Sequence, residues 1–258
     1  MSTLIFEINN SIAHITLNRP DKYNALNREM SLLLQEKLDE CKKNNDIRCV
    51  YITGAGKAFS AGQDLDEVAD PQGPSIQNIL SEHFNPVVRR IRKLDKPVVA
   101  AVNGVAAGAG ANIALCCDIV VASECASFIQ AFSKIGLIPD SGGTFFLPRL
   151  IGWQKAIAFC MLGDKVSATE AEGIGMIYKV FPDETFGEES LKIATTLAQM
   201  PTKALAYTKQ AFNQSLTNNY DDQLHDEELL QQKAGNTLDF KEGVQAFLEK
   251  RKPNFKGQ

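Results

Sequence analysis

The chain reads as an α/β protein on three observations. Residues 98–102 and 119–122 are uninterrupted apolar runs, the signature of strands buried on both faces. Stretches of helical period lie between the strand-like runs. Of 258 residues, 44% are hydrophobic and 22% are charged, so a packed core is expected and disorder is not.

The elements follow in order. Residues 4–8 and 12–17 form two short strands around the turn Asn9-Asn10-Ser11. Asn27 caps a helix over residues 28–43, with Met30, Leu33, Leu34 and Leu38 near helical spacing. Residues 49–53 form a strand ended by Gly54-Ala55-Gly56. A looser stretch over 59–75 is punctuated by Gly62, Pro71, Gly73 and Pro74. Residues 76–94 read as a helix that Pro86 kinks or breaks.

After the strand at 98–102, a tight loop leads to a short helix over 108–116 and another strand at 119–122. From Gly152 onward the pattern is mostly helical. Pro201 begins a helix at its favoured first position. Residues 239–250 form the last helix, with Val244, Phe247 and Leu248 on one side. The chain thus divides into an α/β core at residues 1–200 and a helical region at 201–258.

Lys plus Arg is 27 and Asp plus Glu is 31, a net charge of −4, which argues against a nucleic-acid partner. The six cysteines form no C-x-x-C pair and no zinc pattern, so they read as buried small residues and no metal is expected. The start Met1-Ser2-Thr3-Leu4-Ile5 lacks a signal peptide's features, and no apolar run approaches a membrane span. The ending Phe255-Lys256-Gly257-Gln258 is neither a peroxisomal nor a retention address. A cytoplasmic protein without membrane partners is the expectation.

Asp140 stands between Pro139 and Ser141-Gly142-Gly143, where rigid backbone places its carboxylate. It reads either as a cap on a helix over 144–150 or as a proton shuttle. The run Gly104 to Gly110 leaves backbone N–H groups bare at a helix start, open to a ligand oxygen. Close strand–helix packing explains the same residues. The spacing does not match G-x-G-x-x-G, so a dinucleotide fold is not expected. Ala58 to Leu65 is a second small-residue loop after a strand, and oxyanion sites commonly draw N–H donors from separate loops. Asp140-Ser141-Gly142-Gly143 superficially resembles a serine-protease nucleophile segment. Yet His14, His83 and His225 sit in no suggestive context and read as surface or edge residues, His83 alone keeping a chance of a role.

Five landmarks together carry a resemblance. They are Leu17-Asn18-Arg19-Pro20, Phe59-Ser60-Ala61-Gly62-Gln63-Asp64-Leu65, Val102 through Gly110, Cys117-Asp118-Ile119 and Gly142-Gly143-Thr144. With them the chain resembles the crotonase, or enoyl-CoA hydratase/isomerase, superfamily over essentially its full length. The resemblance implies a spiral of ββα turns with a C-terminal helical trimerisation region, hence a homotrimer or dimer of trimers. It implies a coenzyme A thioester as substrate, with no metal or redox cofactor. It also implies that the N–H groups of Gln63 and Ala109 bind the thioester oxygen.

The departures are informative. Hydratases of the superfamily carry two glutamates that handle water, and their positions here are Asn112 and Phe132. Neither is a general base, which leaves Asp140. This pattern is similar to the branch of 1,2-epoxyphenylacetyl-CoA isomerases of phenylacetate catabolism, as are the tracts Asp70 to Pro74, Asn85 to Arg90, Ala131 to Asp140 and Glu242 to Leu248. That branch converts a ring epoxide to an oxepin. The resemblance assigns Asp140, Gln63 and Ala109 to catalysis. Backbone groups of Ala61, Asp64 and Leu65 are assigned to the adenine segment and Phe132 to an apolar wall that excludes water. Lys22 and Lys250 are candidates for the CoA phosphates, a solvated surface lysine being the equal alternative for each. Lys250 would act through a neighbouring subunit. Rival readings are a Δ3,Δ2-enoyl-CoA isomerase, a 4-chlorobenzoyl-CoA dehalogenase and a non-catalytic acyl-CoA-binding protein.

Overall fold

A computed structural model of the chain describes residues 2–258. It opens with a hairpin of β1 (Leu4–Asn9) and β2 (Ile12–Leu17). Asn10 and Ser11 have φ of 50° and 62°, the left-handed pair that a two-residue turn between twisted strands favours. Asn27 accepts from the Met30 N–H at 3.0 Å and starts α1 (Arg28–Lys43). Next come β3 (Cys49–Gly54), β4 (Ala58–Ser60), α2 (Leu65–Ala69) and α3 (Ile76–Asn78). A π-helical turn at Ile79–Phe84 leads into α4 (Asn85–Lys93). The expected kink at Pro86 is therefore a widened turn instead. Pro86 falls in the first turn of α4, where a missing N–H costs least.

The chain continues through β5 (Val98–Val102), β6 (Val105–Ala107), α5 (Gly108–Leu115), β7 (Ile119–Ser123) and β8 (Ser127–Ile129). A 3-10 turn at Ala131–Ile135 precedes α6 (Gly143–Ile151), α7 (Trp153–Leu162), β9 (Lys165–Ser167), α8 (Ala168–Gly173) and β10 (Lys179–Phe181). Four helices end the chain: α9 (Phe186–Gln199), α10 (Thr202–Ser215), α11 (Tyr220–Gly235) and α12 (Leu238–Leu248). Pro201 is the cap of α10 rather than its first residue, and α12 stops before Lys250. Strands β9 and β10 have three residues each, too short to leave a periodic signal.

Two sheets form, in the orders β1-β2-β3-β5-β7-β10 and β4-β6-β8-β9. The pairs β3/β4, β5/β6 and β7/β8 each put their first strand in one sheet and their second in the other. Within each sheet these strands run parallel. That is a spiral of ββα turns, as the resemblance implied. Asn103 ties two of its corners together, accepting from the Gly54 N–H at 3.0 Å and donating to the Gly56 carbonyl at 3.0 Å.

Strand β5 is buried on both faces. Val98, Ala100 and Val102 pack into the main core with α1 and α4. Val99 and Ala101 face a second layer with Phe186, Ala194 and Ala198 of α9. Helix α10 is anchored by a buried ammonium: Lys209 Nζ lies 2.8 Å from Asp118 and 2.7 Å from the Ile91 carbonyl. Phe212, Phe240, Phe247 and Leu248 on the C-terminal helices are exposed in the single chain. Four of the cysteines are buried, Cys125 is exposed and all six are free. No helix among the described residues is long and apolar enough to cross a membrane.

Candidate active site

The spiral brings two loops from adjacent turns into contact. One leaves β4 and carries Gly62 and Gln63; the other leaves β6 and opens α5 at Gly108-Ala109. Gly62 has φ of 89°, and a Cβ there would lie 2.7 Å from the Ala107 carbonyl oxygen and 3.2 Å from the Ala109 nitrogen. Only glycine allows that approach.

Leu26 forms a parallel bridge to Gln63 through the Gly62 carbonyl and the Asp64 N–H. The Gln63 N–H takes no part in it. Among the described residues, neither the Gln63 N–H nor the Ala109 N–H donates to a protein acceptor. The cap residue Ala107 offers no side chain to the start of α5, and the helix is buried from Ala109 to Leu115. A free N–H at the start of a buried helix, with a second free N–H on the neighbouring loop, is the kind of donor set that suits a developing negative charge.

Asp140 is half-buried beside this helix. Its backbone carbonyl accepts from the Asn112 side-chain amide at 2.9 Å and from the Gly143 N–H at 2.8 Å. The Ser141 hydroxyl donates to Asp140 Oδ1 at 2.9 Å. The carboxylate caps nothing: α6 starts at Gly143, with Gly142 as a cap that has no side chain to offer. The helix-cap reading is thereby excluded. Burial pushes the Asp140 carboxyl up to about 6, against the smaller opposing effect of the Ser141 hydroxyl. Asn112 follows Ala109 by three residues on α5, so the backbone of Asp140 is tied to the helix that carries the free Ala109 N–H. Ser141 has no histidine partner and a buried side chain, which leaves it no nucleophile's role.

Phe132 is buried, and its ring lies 3.6 Å from where a Cβ on Gly108 would stand. It walls the loop at Gly108 with carbon. The carboxylate of Asp64 is already engaged, pairing with Arg19 at 2.6 Å and capping α2 through the Asp66 N–H. The N–H groups of Ala61 and Asp64 go to the carbonyls of Tyr23 and Leu26, and the Asp64 carbonyl accepts from the Gln63 side-chain amide at 3.1 Å, so the Ala61 carbonyl is the one of these groups left to offer a ligand. Leu65 is exposed at the start of α2. Lys22 stands at the same rim, 2.8 Å from Asp66 and open to solvent.

Lys250 is not brought to this site within one chain. It follows α12, and the tail after it docks on Arg48 at the start of β3, through the Phe255 carbonyl. His83, expected at a surface or edge, is buried in the π turn with neither ring nitrogen partnered among the described residues. Burial holds its pKa below the ordinary value.

The sequence did not single out Gln130, and it offered Asn112 only as a residue unable to act as a base. Gln130 donates to Asn112 Oδ1 at 2.8 Å. The available signal was an amide inside an Ala/Gly-rich apolar helix, with a second amide ending an apolar strand.

Comparison with known proteins shows the family. The family model described as enoyl-CoA hydratase/isomerase matches residues 7–258. A 1,2-epoxyphenylacetyl-CoA isomerase of Escherichia coli is 46% identical, the alignment covering 100% of both chains. A 2,3-dehydroadipyl-CoA hydratase of the same organism is 36% identical, again over 100% of both. The crystal structure of an enoyl-CoA hydratase from Bacillus anthracis superposes with a TM-score of 0.95 at 32% identity, covering 99% of this chain and 100% of that one.

Proposed function

The chain belongs to the enoyl-CoA hydratase/isomerase family, and we propose that within it the protein is an isomerase of a coenzyme A thioester. The substrate is 2-(1,2-epoxy-1,2-dihydrophenyl)acetyl-CoA and the product is oxepin-CoA. One observation carries the reading: Asp140 is the carboxylate beside the oxyanion loop, and Asn112 and Phe132, where a hydratase's water-handling acids would stand, are an engaged amide and a hydrocarbon ring. The 46% identity with a protein of that activity supports the same choice.

The chemistry follows from the groups. A carbon acid beside a thioester is weak, so its proton leaves only if the enolate charge is met at once. The Gln63 and Ala109 N–H groups meet it on the thioester oxygen, and losing one such donor typically costs about 3–4 kcal/mol of barrier. Asp140, as carboxylate, takes the proton. The C–C bond shared by the epoxide and the six-membered ring opens, its electron pair entering the double bonds of the seven-membered ring; the enolate charge spreads along those double bonds, and Asp140 returns the proton to a ring carbon. Nothing is gained or lost overall, so one acid suffices. The Phe132 wall keeps water from the epoxide and from the acid.

The Ala61 carbonyl, with Asp64 and Leu65 beside it, receives the adenine end of CoA, and Lys22 serves its phosphates. Apolar side chains left exposed on α10 and α12 support assembly as a homotrimer or dimer of trimers, in which Lys250 reaches a neighbour's CoA. A Δ3,Δ2-enoyl-CoA isomerase is the second reading, because the same single acid would shift a double bond on a linear chain.

Turnover of the epoxide ester and of a cis-3-enoyl-CoA, compared as kcat/KM for the parent and Asp140→Asn, tests this. The epoxide ester should be the better substrate and the variant should be inactive on both. Higher efficiency on the linear ester makes the second reading the right one. Parent-like turnover by Asp140→Asn removes both.

A further inference from the structure

The geometry points to Gln130 and Asn112 as a positioning pair that fixes the Asp140 peptide to the helix carrying the oxyanion donor Ala109. The inference rests on the proposed role of Asp140. The hydrogen-bond chain has one possible direction. The Asp140 carbonyl can only accept, so Asn112 must turn its NH2 toward it, at 2.9 Å. That leaves Asn112 Oδ1 facing Gln130, which must then present its own NH2, at 2.8 Å. Asn112 is 0% exposed and Gln130 is 4% exposed, so water does not replace either bond.

Two further features mark the pair as a positioning device rather than filler. Gly143 leaves room for it: a Cβ there would stand 2.3 Å from Asn112 Nδ2. The arrangement also leaves Gln130 Oε1 buried without a partner among the described residues, an expense that an apolar residue at 130 would avoid. In return, the backbone of the acid is referenced to α5. Ser141, at φ of 51°, holds Oδ1, and Oδ2 is left to the substrate. Without Asn112 the Asp140 carbonyl keeps only the Gly143 N–H, a bond local to its own turn. The turn could then slide over α5, and the carboxylate would lose its aim and its shelter.

The test uses Asn112→Leu and Gln130→Met, each close in volume and without the donor. With the thioester that the parent turns over, kcat should fall about ten- to a hundredfold while KM stays within about threefold, as expected for a misaimed reacting group. A carboxyl ¹³C titration of Asp140 by NMR supplies a readout that needs no turnover. The midpoint, about 6 in the parent, should move down toward 3.8 in both variants as the carboxylate meets water. Folded variants with parent kcat, or an unmoved midpoint, overturn the inference. If Asn112→Leu does not fold, Gln130→Met decides alone. Asp140→Asn separates the two levels: its activity would overturn the role of Asp140 itself. An inactive Asp140→Asn beside fully active amide variants would overturn only the positioning pair.

Discussion

The Ser141 hydroxyl donates to Asp140 Oδ1 at 2.9 Å, while burial drives the same carboxyl up to about 6. The two influences oppose one another, since a hydrogen bond to the charged form favours it and desolvation disfavours it. Ser141→Ala removes the first and leaves the second. Asp140 must be ionised to take a proton, so the rising limb of kcat against pH should move to higher pH. The loss should be greatest below pH 6 and small at alkaline pH.

Asp140→Asn should stabilise the fold while it abolishes turnover. A carboxyl whose pKa rises on folding, from 3.8 to about 6, binds more protons in the native state than in the unfolded one. Stability therefore falls as pH rises through that window, and the full penalty is present above about 6. Its ceiling is about 3 kcal/mol. The amide carries no charge to desolvate. Urea unfolding at pH 7.5 should show the variant more stable than the parent, with the gap closing below pH 4.

Gly62→Ala should damage the proposed oxyanion site directly. The added methyl meets the Ala107 carbonyl oxygen at 2.7 Å and the Ala109 nitrogen at 3.2 Å, in a backbone region hostile to side chains. One or both N–H donors must move. A kcat loss of about 10²–10³ is expected, the range for losing one such donor. Circular dichroism close to the parent's would show that the loss is local.

Asp118→Ala should loosen α10 from the sheet. It strands the buried Lys209 ammonium, which keeps only backbone carbonyl partners, and it removes the acceptor of the Val98 N–H. Breaking one side of a buried pair costs about 3–5 kcal/mol, and denaturant titration would measure it. KM of the remaining folded protein should change little, because neither residue belongs to the site.

Much of the fold lay open in the chain itself, because its elements are set by local chemistry. The run at 98–102 reads as a doubly buried strand from its composition alone, and Asn27 caps the helix it was expected to cap. Elements that depend on distant support were less legible. The three-residue strands β9 and β10 exist because β8 and β7 offer them edges. The widened turn before Pro86 is a backbone adjustment that no residue type announces.

For the site, residue types near one another in sequence named the parts: an acid after a proline, two small-residue loops, and an amide and a phenylalanine where other family members keep acids. Their meaning was decided by three-dimensional neighbours. Asp140 had two readings until α6 was seen to begin without its side chain and Asn112 was found on its carbonyl, from 28 residues away. The raised carboxyl, the free Gln63 and Ala109 N–H groups and the Gln130 link all arise from which atoms are deprived of water and which are paired. Those are properties of packing, and a linear sequence does not contain distances across it.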